Sequence, residues 1–161
     1  MSQYSVNVSK DYLVFPAAHF ITYRGLCEPL HGHNYRASVT VEGELDDNYY
    51  VLDFVQLKKM MRDLIDELDH RMLLARDNPH MEITEEPGSV TVQYDDRRYV
   101  FPRKDVVILP IPNTTAEMIA RYLTGKLRER LAAEGHDGVT AIVMEVEESF
   151  GQAARYREPV D

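Results

Sequence analysis

Two segments near the amino terminus have the pattern of β-strands, one by its composition and one by the alternation of apolar and polar side chains, which is the two-residue period of a strand. Residues 12–23 are rich in β-branched and aromatic side chains and predict a strand that bends near Pro16. Residues 25–29 predict a loop, and residues 35–43 then alternate strictly. Their apolar face consists of Tyr35, Ala37, Val39 and Val41. The pattern predicts half-buried antiparallel strands in this part of the chain.

Two later segments repeat their apolar side chains at the spacing of helices. Asp53 is predicted to cap the first helix. The apolar side chains of this helix are Phe54, Leu57, Met61, Leu64, Ile65 and Leu68. Thr114 and Glu117 match the capping-box pattern that opens the second helix, and Gly135 and Gly138 are predicted to end it. The apolar side chains of the second helix are Met118, Ile119, Tyr122, Leu123, Leu127 and Leu131.

The segment between the two helices, residues 75–112, is predicted to be irregular apart from one hairpin that turns at residues 95–96. Residues 139–148 predict a strand with apolar side chains on both faces over part of its length, and residues 153–157 predict a short final strand. Strands, helix, hairpin, helix and strands in this order indicate one antiparallel α+β domain over residues 1–161.

Charge and cysteine content narrow the classes of partner. The 161 residues carry a formal net charge of −9, whereas proteins that bind nucleic-acid phosphates normally have a basic face, so we expect no nucleic-acid partner. No apolar run approaches the ~20 residues of a membrane helix, and the polar first ten residues lack the apolar core of a signal peptide. A single cysteine, Cys27, excludes an intrachain disulfide and fits a reducing compartment. We therefore expect a cytoplasmic protein with no membrane partner.

Three histidines lie close together in the sequence. His31 and His33 are two residues apart, so on a strand they share a face, and their parity is that of the predicted apolar face that begins at Tyr35. His19 lies on the preceding strand and is able to approach from across the pair. Three neutral imidazoles with one open position are the ligand set of catalytic zinc. The alternative is that the His-Gly-His pair is a solvated part of a loop or strand.

Other polar side chains near the histidines each have two interpretations. Cys27 lies four residues before His31 and is either a thiolate base near a cation or an inert, buried small side chain. Asp69 and His70 directly follow the first helix. They form either a carboxylate–imidazole pair for proton transfer or a helix-end pair favoured by the helix dipole.

Glu148, at the end of the strand predicted over residues 139–148, shares the face of its apolar side chains. A carboxylate in this position can accept two hydrogen bonds from the edge of a heterocycle, although acidic strand ends mostly face solvent. Thr114 and Glu117 are candidates for the wall of a substrate pocket, but the capping-box pattern already explains both residues.

Several short segments together form a recognisable set. They are FPAAHF at residues 15–20, CEPLHGHNY at 27–35, LDF and LK within 52–58, LDH at 68–70, NTT at 113–115 with Glu117, and the tail from Glu148 through Tyr156 and Arg157. In order and content this set resembles the 6-pyruvoyl/6-carboxytetrahydropterin synthase family. The resemblance covers nearly the whole chain except residues 76–112, which look like an insertion.

The resemblance implies a T-fold, in which an antiparallel four-stranded sheet carries two helices on one face, with an inserted hairpin in this chain. It also implies that subunits associate into a homohexamer with active sites between subunits. The implied activity is that of a lyase: conversion of 7,8-dihydroneopterin triphosphate to a 6-carboxy- or 6-pyruvoyl-tetrahydropterin.

The roles that the resemblance implies can be assigned residue by residue. His19, His31 and His33 would bind Zn²⁺. Cys27 would be the general base, supported by Asp69 and His70. Glu148 would anchor the pterin ring, with Thr114 and Thr115 at the substrate.

The reaction subtype stays open because two subtype signals occur side by side. The 6-carboxytetrahydropterin synthases, which serve queuosine synthesis, resemble this chain in having Cys four residues before His-Gly-His. Another subtype has Glu three residues before it and forms 6-hydroxymethyl-7,8-dihydropterin for folate. This chain has both, as Cys27 and Glu28. Adjacent side chains of an extended chain point in opposite directions, so we expect only one of them to face the metal.

Two other classes of protein compete with the enzyme. One is a T-fold protein that binds a pterin or purine without turnover, which would follow if the insertion closed the site. The other is a structural zinc protein, which requires four protein ligands and no open position.

Overall fold

The computed structural model describes residues 3–160. Its strands are β1 (Tyr4–His19), β2 (Thr22–Tyr23), β3 (Leu26–Cys27), β4 (His31–Gly43), β5 (Arg71–Ala75), β6 (Glu82–Glu86), β7 (Ser89–Tyr94), β8 (Arg97–Pro102), β9 (Val106–Leu109), β10 (Val139–Ser149) and β11 (Gln152–Pro159). Its helices are α1 (Phe54–Asp66) and α2 (Ala116–Ala133).

Six strands form the main sheet, in the order β11-β10-β4-β1-β5-β9. The pairs from β11 to β1 are antiparallel, whereas β5 is parallel to both β1 and β9. The prediction of a four-stranded antiparallel sheet was therefore wrong in the number of strands: β11, β10, β4 and β1 are antiparallel as predicted, and β5 and β9 extend the sheet with parallel pairing. β5 and β9 escaped prediction because short, continuous apolar runs have no period that separates a buried strand from other structure.

The main core lies between this sheet and the two helices. Alternate side chains of β1, β4 and β10 point to one face, where they pack against the apolar sides of α1 and α2. Leu13, Phe15, Tyr35, Leu57 and Ile119 are among the largest fully buried side chains. The prediction of an α+β fold with two helices on one face of a mostly antiparallel sheet is confirmed.

β1 is longer than the predicted strand at its amino-terminal end. Its pairing with β4 begins at Tyr4, and its register shifts between Ser9 and Val14 rather than at Pro16. β1 ends at His19, and the short β2–β3 hairpin follows. The turn of this hairpin has φ angles of 49° at Arg24 and 76° at Gly25, as the two-residue turns of tight hairpins require.

The helix starts test the two predicted caps. Asp53 caps α1, because its side chain accepts hydrogen bonds from the backbone N–H groups of Val55 and Gln56. The predicted capping box of α2 was wrong by one residue: the cap is Thr115, whose hydroxyl accepts from the N–H of Met118, and not Thr114. Thr114 and Thr115 are adjacent and both have a hydroxyl that could cap the helix. Thr114 is buried and its hydroxyl donates to the carbonyl of Phe20, whereas Thr115 caps the helix. Neither helix has the length and apolar character that a membrane crossing needs.

A second sheet of three strands, β6-β7-β8, occupies the segment between β5 and β9. The predicted hairpin is present as β7–β8, but the rest of residues 75–112 is not irregular. The strand β6 was missed because its sequence, EITEE, is mostly charged. Val90 and Val92 of β7 form a second apolar core with Phe20, Cys27, Met72, Leu74 and Val106. Whether this segment is an insertion relative to the family stays a prediction.

Candidate active site and metal centre

The candidate metal centre consists of His19, His31 and His33, where β1 ends and β4 begins. His19 pairs directly with His31 in the antiparallel register, and His33 follows on the same face two residues later. The Nε2 atom of His31 lies 3.2 Å from that of His19 and 3.1 Å from that of His33. The structure thus brings together the three predicted ligands, which could hold a metal ion.

Hydrogen bonds at the opposite ring nitrogens set the protonation of two of these imidazoles. The Nδ1 atom of His19 lies 2.9 Å from the carbonyl oxygen of Thr114, and that of His31 lies 2.8 Å from the carbonyl oxygen of Pro29. A carbonyl oxygen only accepts, so each Nδ1 carries the proton and each Nε2 keeps its lone pair. Metal-bound histidines are oriented by this kind of hydrogen bond.

The geometry of the three histidines fits zinc. Lone pairs that face one another at about 3 Å repel, and a cation between them turns this repulsion into attraction. Ligand atoms in a tetrahedral zinc site lie about 2.0–2.1 Å from the ion, and hence roughly 3.3 Å from one another. The observed separations of 3.1 and 3.2 Å are close to that value. Imidazole nitrogen also matches the ligand preference of zinc.

Burial keeps the groups at the base of the centre neutral. Desolvation lowers the pKa of His19 below its usual value of 6.5, which favours the neutral ring that a metal requires. The Tyr35 hydroxyl lies 3.1 Å from the Nδ1 of His19. Burial, followed by the negative charges of Glu148 and Glu28, raises the pKa of Tyr35, so its hydroxyl stays protonated.

Two carboxylates flank the histidines on different sides. An Oε1 atom of Glu148 lies 3.4 Å from the Nε2 of His33. An Oε2 atom of Glu28 lies 3.9 Å from the Nε2 of His31. The side chains of Glu148 and Glu28 are 31% and 28% exposed, so both can be reached by a ligand from solvent. Glu148 reaches the cluster because it shares the inward face of β10, as the sequence predicted.

Cys27 has different surroundings from its neighbour Glu28. Its side chain is buried in the second apolar core, and its Sγ atom lies 3.5 Å from the carbonyl oxygen of Glu28. Burial raises the pKa of the thiol, and the nearby Arg97 opposes this only in part. A thiol of this kind is protonated near neutral pH and is a poor base. Of the two candidate bases, Glu28 faces the histidines.

Comparison with known proteins adds the family. A family model described as 6-pyruvoyl tetrahydropterin synthase matches residues 8–159. The chain belongs to the 6-pyruvoyl tetrahydropterin synthase family. This membership confirms the prediction of an enzyme of the lyase class.

Curated relatives within the 6-pyruvoyl tetrahydropterin synthase family have more than one name. A putative 6-carboxy-5,6,7,8-tetrahydropterin synthase of Methanocaldococcus jannaschii is 33% identical over 147 residues, which cover 91% of this chain and 90% of that protein. The dihydroneopterin monophosphate aldolase of Pyrococcus furiosus is 45% identical over 69 residues, which cover 42% of this chain and 59% of that protein. The longer match and the more identical match thus point to different reactions.

Solved structures of family members have the same fold. The 6-pyruvoyl tetrahydropterin synthase of Plasmodium vivax superposes with a TM-score of 0.92 and 29% identity, covering 99% of this chain and 100% of that chain. The Plasmodium falciparum protein gives a TM-score of 0.92 at 31% identity, with the same coverage. Two further structures are of P. vivax variants in which a glutamate, described as a catalytic residue, is replaced by alanine or cysteine.

Asp69 and His70 do not join the three histidines of their own chain. His70 has a φ of 56°, and its N–H donates to the carbonyl of Pro16 at 2.6 Å. Its Nδ1 lies 3.0 Å from a carboxylate oxygen of Asp69, and its side chain is 78% exposed. His70 lines a cavity of about 580 Å³ whose wall also includes Ala18, Asn34 and His33. A catalytic role for Asp69 and His70 stays a prediction.

The NTT segment supports the metal centre through its backbone. Asn113 accepts a hydrogen bond from the N–H of Thr22 and donates one to its carbonyl, at 3.3 and 2.8 Å. Thr114 is buried, its hydroxyl donates to the carbonyl of Phe20, and its own carbonyl lies at His19. Contact of Thr114 and Thr115 with a substrate stays a prediction. No local sequence signal identifies a backbone carbonyl as the partner of a histidine, so this role was missed.

Proposed function

We propose that this chain is a zinc-dependent lyase that cleaves the side chain of 7,8-dihydroneopterin, or of its phosphate ester, to 6-hydroxymethyl-7,8-dihydropterin. The observation that carries this proposal is the orientation of two adjacent residues. The Glu28 carboxylate lies 3.9 Å from the His31 Nε2, whereas the Cys27 thiol is buried in an apolar core. Glu28 stands three residues before His-Gly-His, as in the glutamate subtype of the family.

Substrate binding is assigned to Glu148 and the three histidines. The Glu148 carboxylate, beside His33, can accept two hydrogen bonds from the N–H groups along one edge of the pterin ring. The hydroxylated side chain of the substrate would then extend toward His19 and His31. His19, His31 and His33 would hold the zinc ion, which when bound would supply a positive charge able to lower the pKa of the substrate hydroxyls.

Bond cleavage is assigned to Glu28. Its carboxylate accepts the proton of the C2′ hydroxyl, and the C2′–O bond becomes a carbonyl as the C1′–C2′ bond breaks. The electron pair of the broken bond passes into the C6=N5 imine of the ring, and C1′ then takes up a proton. The products are 6-hydroxymethyl-7,8-dihydropterin and glycolaldehyde, or glycolaldehyde phosphate from the ester. The proton gained by Glu28 is the one returned to C1′, so Glu28 ends the cycle ionised.

A second candidate is 6-carboxytetrahydropterin synthesis with Cys27 as the base. It is favoured by the name of the M. jannaschii relative, which matches nearly the whole chain, and by the Cys spacing. Cys27 would have to leave the apolar core and lose its proton, and burial raises the pKa of its thiol. We therefore rank this reaction, and with it the queuosine route, below the folate route.

The assembly that we propose is a homohexamer with active sites between subunits. In support, Asp69 and His70 are not members of the ligand group of their own chain, and the His70 side chain is 78% exposed at a cavity that it shares with His33. A second copy that covers this surface would bring a carboxylate–imidazole pair to the edge of a neighbouring site.

Product identification tests the proposed reaction. Zinc-loaded protein would be given 7,8-dihydroneopterin, its monophosphate and its triphosphate separately, and the products would be identified by mass. We expect the 6-hydroxymethyl product, loss of about 100-fold or more in kcat in Glu28→Gln, and nearly full activity in Cys27→Ala. A 6-carboxy or 6-pyruvoyl product that depends on Cys27 and survives Glu28→Gln would reject the proposal.

A further inference from the structure

The tip of the β7–β8 hairpin lies against the segment that carries Glu28. An Nη1 atom of Arg97 donates hydrogen bonds to the carbonyl oxygens of Cys27 and Glu28, at 2.9 and 3.3 Å. The hydroxyl of Tyr94 donates to the carbonyl oxygen of Gly25 at 2.7 Å. Arg97 and Tyr94 are paired with each other across the hairpin, so both hydrogen-bond to the Gly25–Glu28 segment from the hairpin tip. We infer that these two residues position the Glu28 carboxylate against the histidines.

The segment that leads to Glu28 is also held at other points, beginning with the pairing of Cys27 with Thr22. It leaves β3 at Cys27 and joins β4 at His31. The N–H of Glu28 donates to the carbonyl of Ile21 at 2.9 Å, and the carbonyl of Pro29 accepts from His31. A charged donor to two consecutive carbonyls adds to these contacts in fixing the Glu28 backbone. The carboxylate is also held directly, because its Oε2 atom accepts from the N–H of Ile21 at 3.4 Å, so Arg97 acts on the carboxylate through the backbone.

The hairpin itself is anchored to the body of the protein. Val90 and Val92 of β7 are fully buried in the second apolar core, where they join Met72 and Leu74 of β5. The side chain of Cys27 belongs to the same core. The residues around Cys27 are thus held in two ways by the hairpin: by polar contacts from its tip and by apolar contacts from Val90 and Val92 of β7. Glu28, the proposed proton acceptor, would therefore be positioned by residues of the second, three-stranded sheet.

This inference rests on the proposed role of Glu28. A base must lie within hydrogen-bond reach of the proton that it takes, and misplacement by about 1 Å can cost about 100-fold in rate. Arg97 is a positioning residue in this scheme, because its hydrogen bonds are to the backbone carbonyls of Cys27 and Glu28 and its charge lies near the Cys27 thiol. Loss of its guanidinium is therefore expected to lower kcat more than it changes KM or zinc content.

The single cysteine gives a readout of the segment that needs no substrate. Cys27 is 7% exposed, so its reaction with a thiol reagent such as 5,5′-dithiobis(2-nitrobenzoate) requires the segment to open. Removal of Arg97 also removes a positive charge that lowers the pKa of this thiol, and this change alone would slow the reaction. Faster labelling after substitution of Arg97 would therefore report opening and not a more reactive thiol.

The experiment compares four variants of the zinc-loaded protein: Arg97→Ala, Arg97→Lys, Tyr94→Phe and Arg98→Ala. Arg98 is the matched control, because it is the neighbouring arginine of β8 and its side chain makes no hydrogen bond or ion pair within residues 3–160. For Arg97→Ala we expect labelling of Cys27 to accelerate about tenfold or more and kcat to fall about 10- to 100-fold. Arg97→Lys is expected to lie between Arg97→Ala and the parent in labelling rate and in kcat. Tyr94→Phe is expected to change both quantities less than Arg97→Ala does, and Arg98→Ala is expected to match the parent protein in both.

The outcomes separate this inference from the proposed function. Unchanged labelling and unchanged kcat in Arg97→Ala would overturn it. So would a lower kcat with unchanged labelling, which would indicate direct contact between Arg97 and the substrate, and so would faster labelling with an unchanged kcat. If the parent protein formed no 6-hydroxymethyl product, faster labelling of Cys27 in Arg97→Ala would still show that Arg97 holds the segment closed. Only the proposed function would then fail.

Discussion

The His19 ring has one defined tautomer because the carbonyl of Thr114 lies 2.9 Å from its Nδ1 atom. His31 is fixed in the same way by Pro29, only two residues away in the chain. Both histidines therefore present an Nε2 lone pair to the centre before any ion arrives. Because these two rings are already oriented, binding of a metal ion would cost less conformational entropy than binding by freely rotating histidines.

Substitution of the histidines tests the metal assignment. Removal of one of three imidazole ligands leaves too few donors for a stable site, so we expect His31→Ala and His33→Ala to lose nearly all bound zinc. Zinc per chain after gel filtration, measured by mass spectrometry of the element, provides the check. His80→Ala is the matched control, since His80 is an exposed histidine outside the cluster. Retention of zinc at the parent level in His31→Ala and His33→Ala would contradict the assignment.

The sequence predicted some site residues and left others undecided. Strand parity was enough to place His31 and His33 on the apolar face of one strand and Glu148 on the apolar face of another, because alternation on a strand is a local property. It could not decide between Cys27 and Glu28. Their directions depend on the β2–β3 hairpin and on an apolar core to which β5, β7 and β9 contribute. These packing partners are distant in the sequence, so no local pattern contains them.

The first turn of α1 depends on one side chain. The Asp53 carboxylate accepts from the N–H groups of Val55 and Gln56, at 2.5 and 3.1 Å. Asp53→Ala leaves these donors without a protein partner, and we expect a loss of about 1 kcal/mol in the free energy of unfolding. Urea unfolding followed by circular dichroism measures the loss.

Asp53→Asn is the control for this prediction, because asparagine caps helices about as well as aspartate. It is expected to differ from the parent by a few tenths of a kcal/mol. Equal losses in Asp53→Ala and Asp53→Asn would show that the charge of Asp53, and not its role as an acceptor at the helix start, stabilises the protein.

Elements with a clear period were found from the sequence, and elements without one were not. β4, β10, β11 and both helices were predicted close to their observed positions. β5, with the sequence RMLLA, and β9, with VVIL, are too short and too uniformly apolar to show alternation. Their parallel pairing is also non-local, because β5 joins β1 across the whole of β4 and α1.

The molecule has two apolar cores, and the candidate site lies where they meet. Phe15, Ala17 and Tyr35, from the ends of β1 and β4 that carry the histidines, belong to the main core. Phe20 and Cys27, which come directly after His19 and before Glu28, belong to the second core. A ligand bound at the histidines therefore touches segments that depend on both cores.

Stability of the metal-free protein is expected to depend on pH through His19. Burial lowers the pKa of His19 from 6.5, so below that pH the unfolded chain binds a proton that the folded chain does not. Stability is therefore present in full above about pH 6.5 and falls as the pH decreases toward the folded-state pKa, by at most about 1.4 kcal/mol per pH unit. Urea unfolding of protein stripped with a chelator, at about pH 7, 6 and 5, measures the slope.

His19→Gln supplies the comparison, because it removes the titrating group and keeps a polar side chain. We expect a shallower decrease with falling pH in this variant, even if its stability near neutral pH is lower. An identical slope in His19→Gln and the parent would show that other groups cause the acid sensitivity.

The three histidines lie close together in the chain, at the end of β1 and the start of β4, and this has a consequence for synthesis of the chain on the ribosome. His19, His31 and His33 emerge within fifteen residues of one another, whereas Thr114 and Glu148 emerge only after more than 80 and 110 further residues. A nascent chain thus has all three imidazoles long before the carbonyl that orients His19 or the carboxylate beside His33 exists. The contacts that orient His19 and flank His33 therefore form only after Thr114 and β10 have been added to the chain.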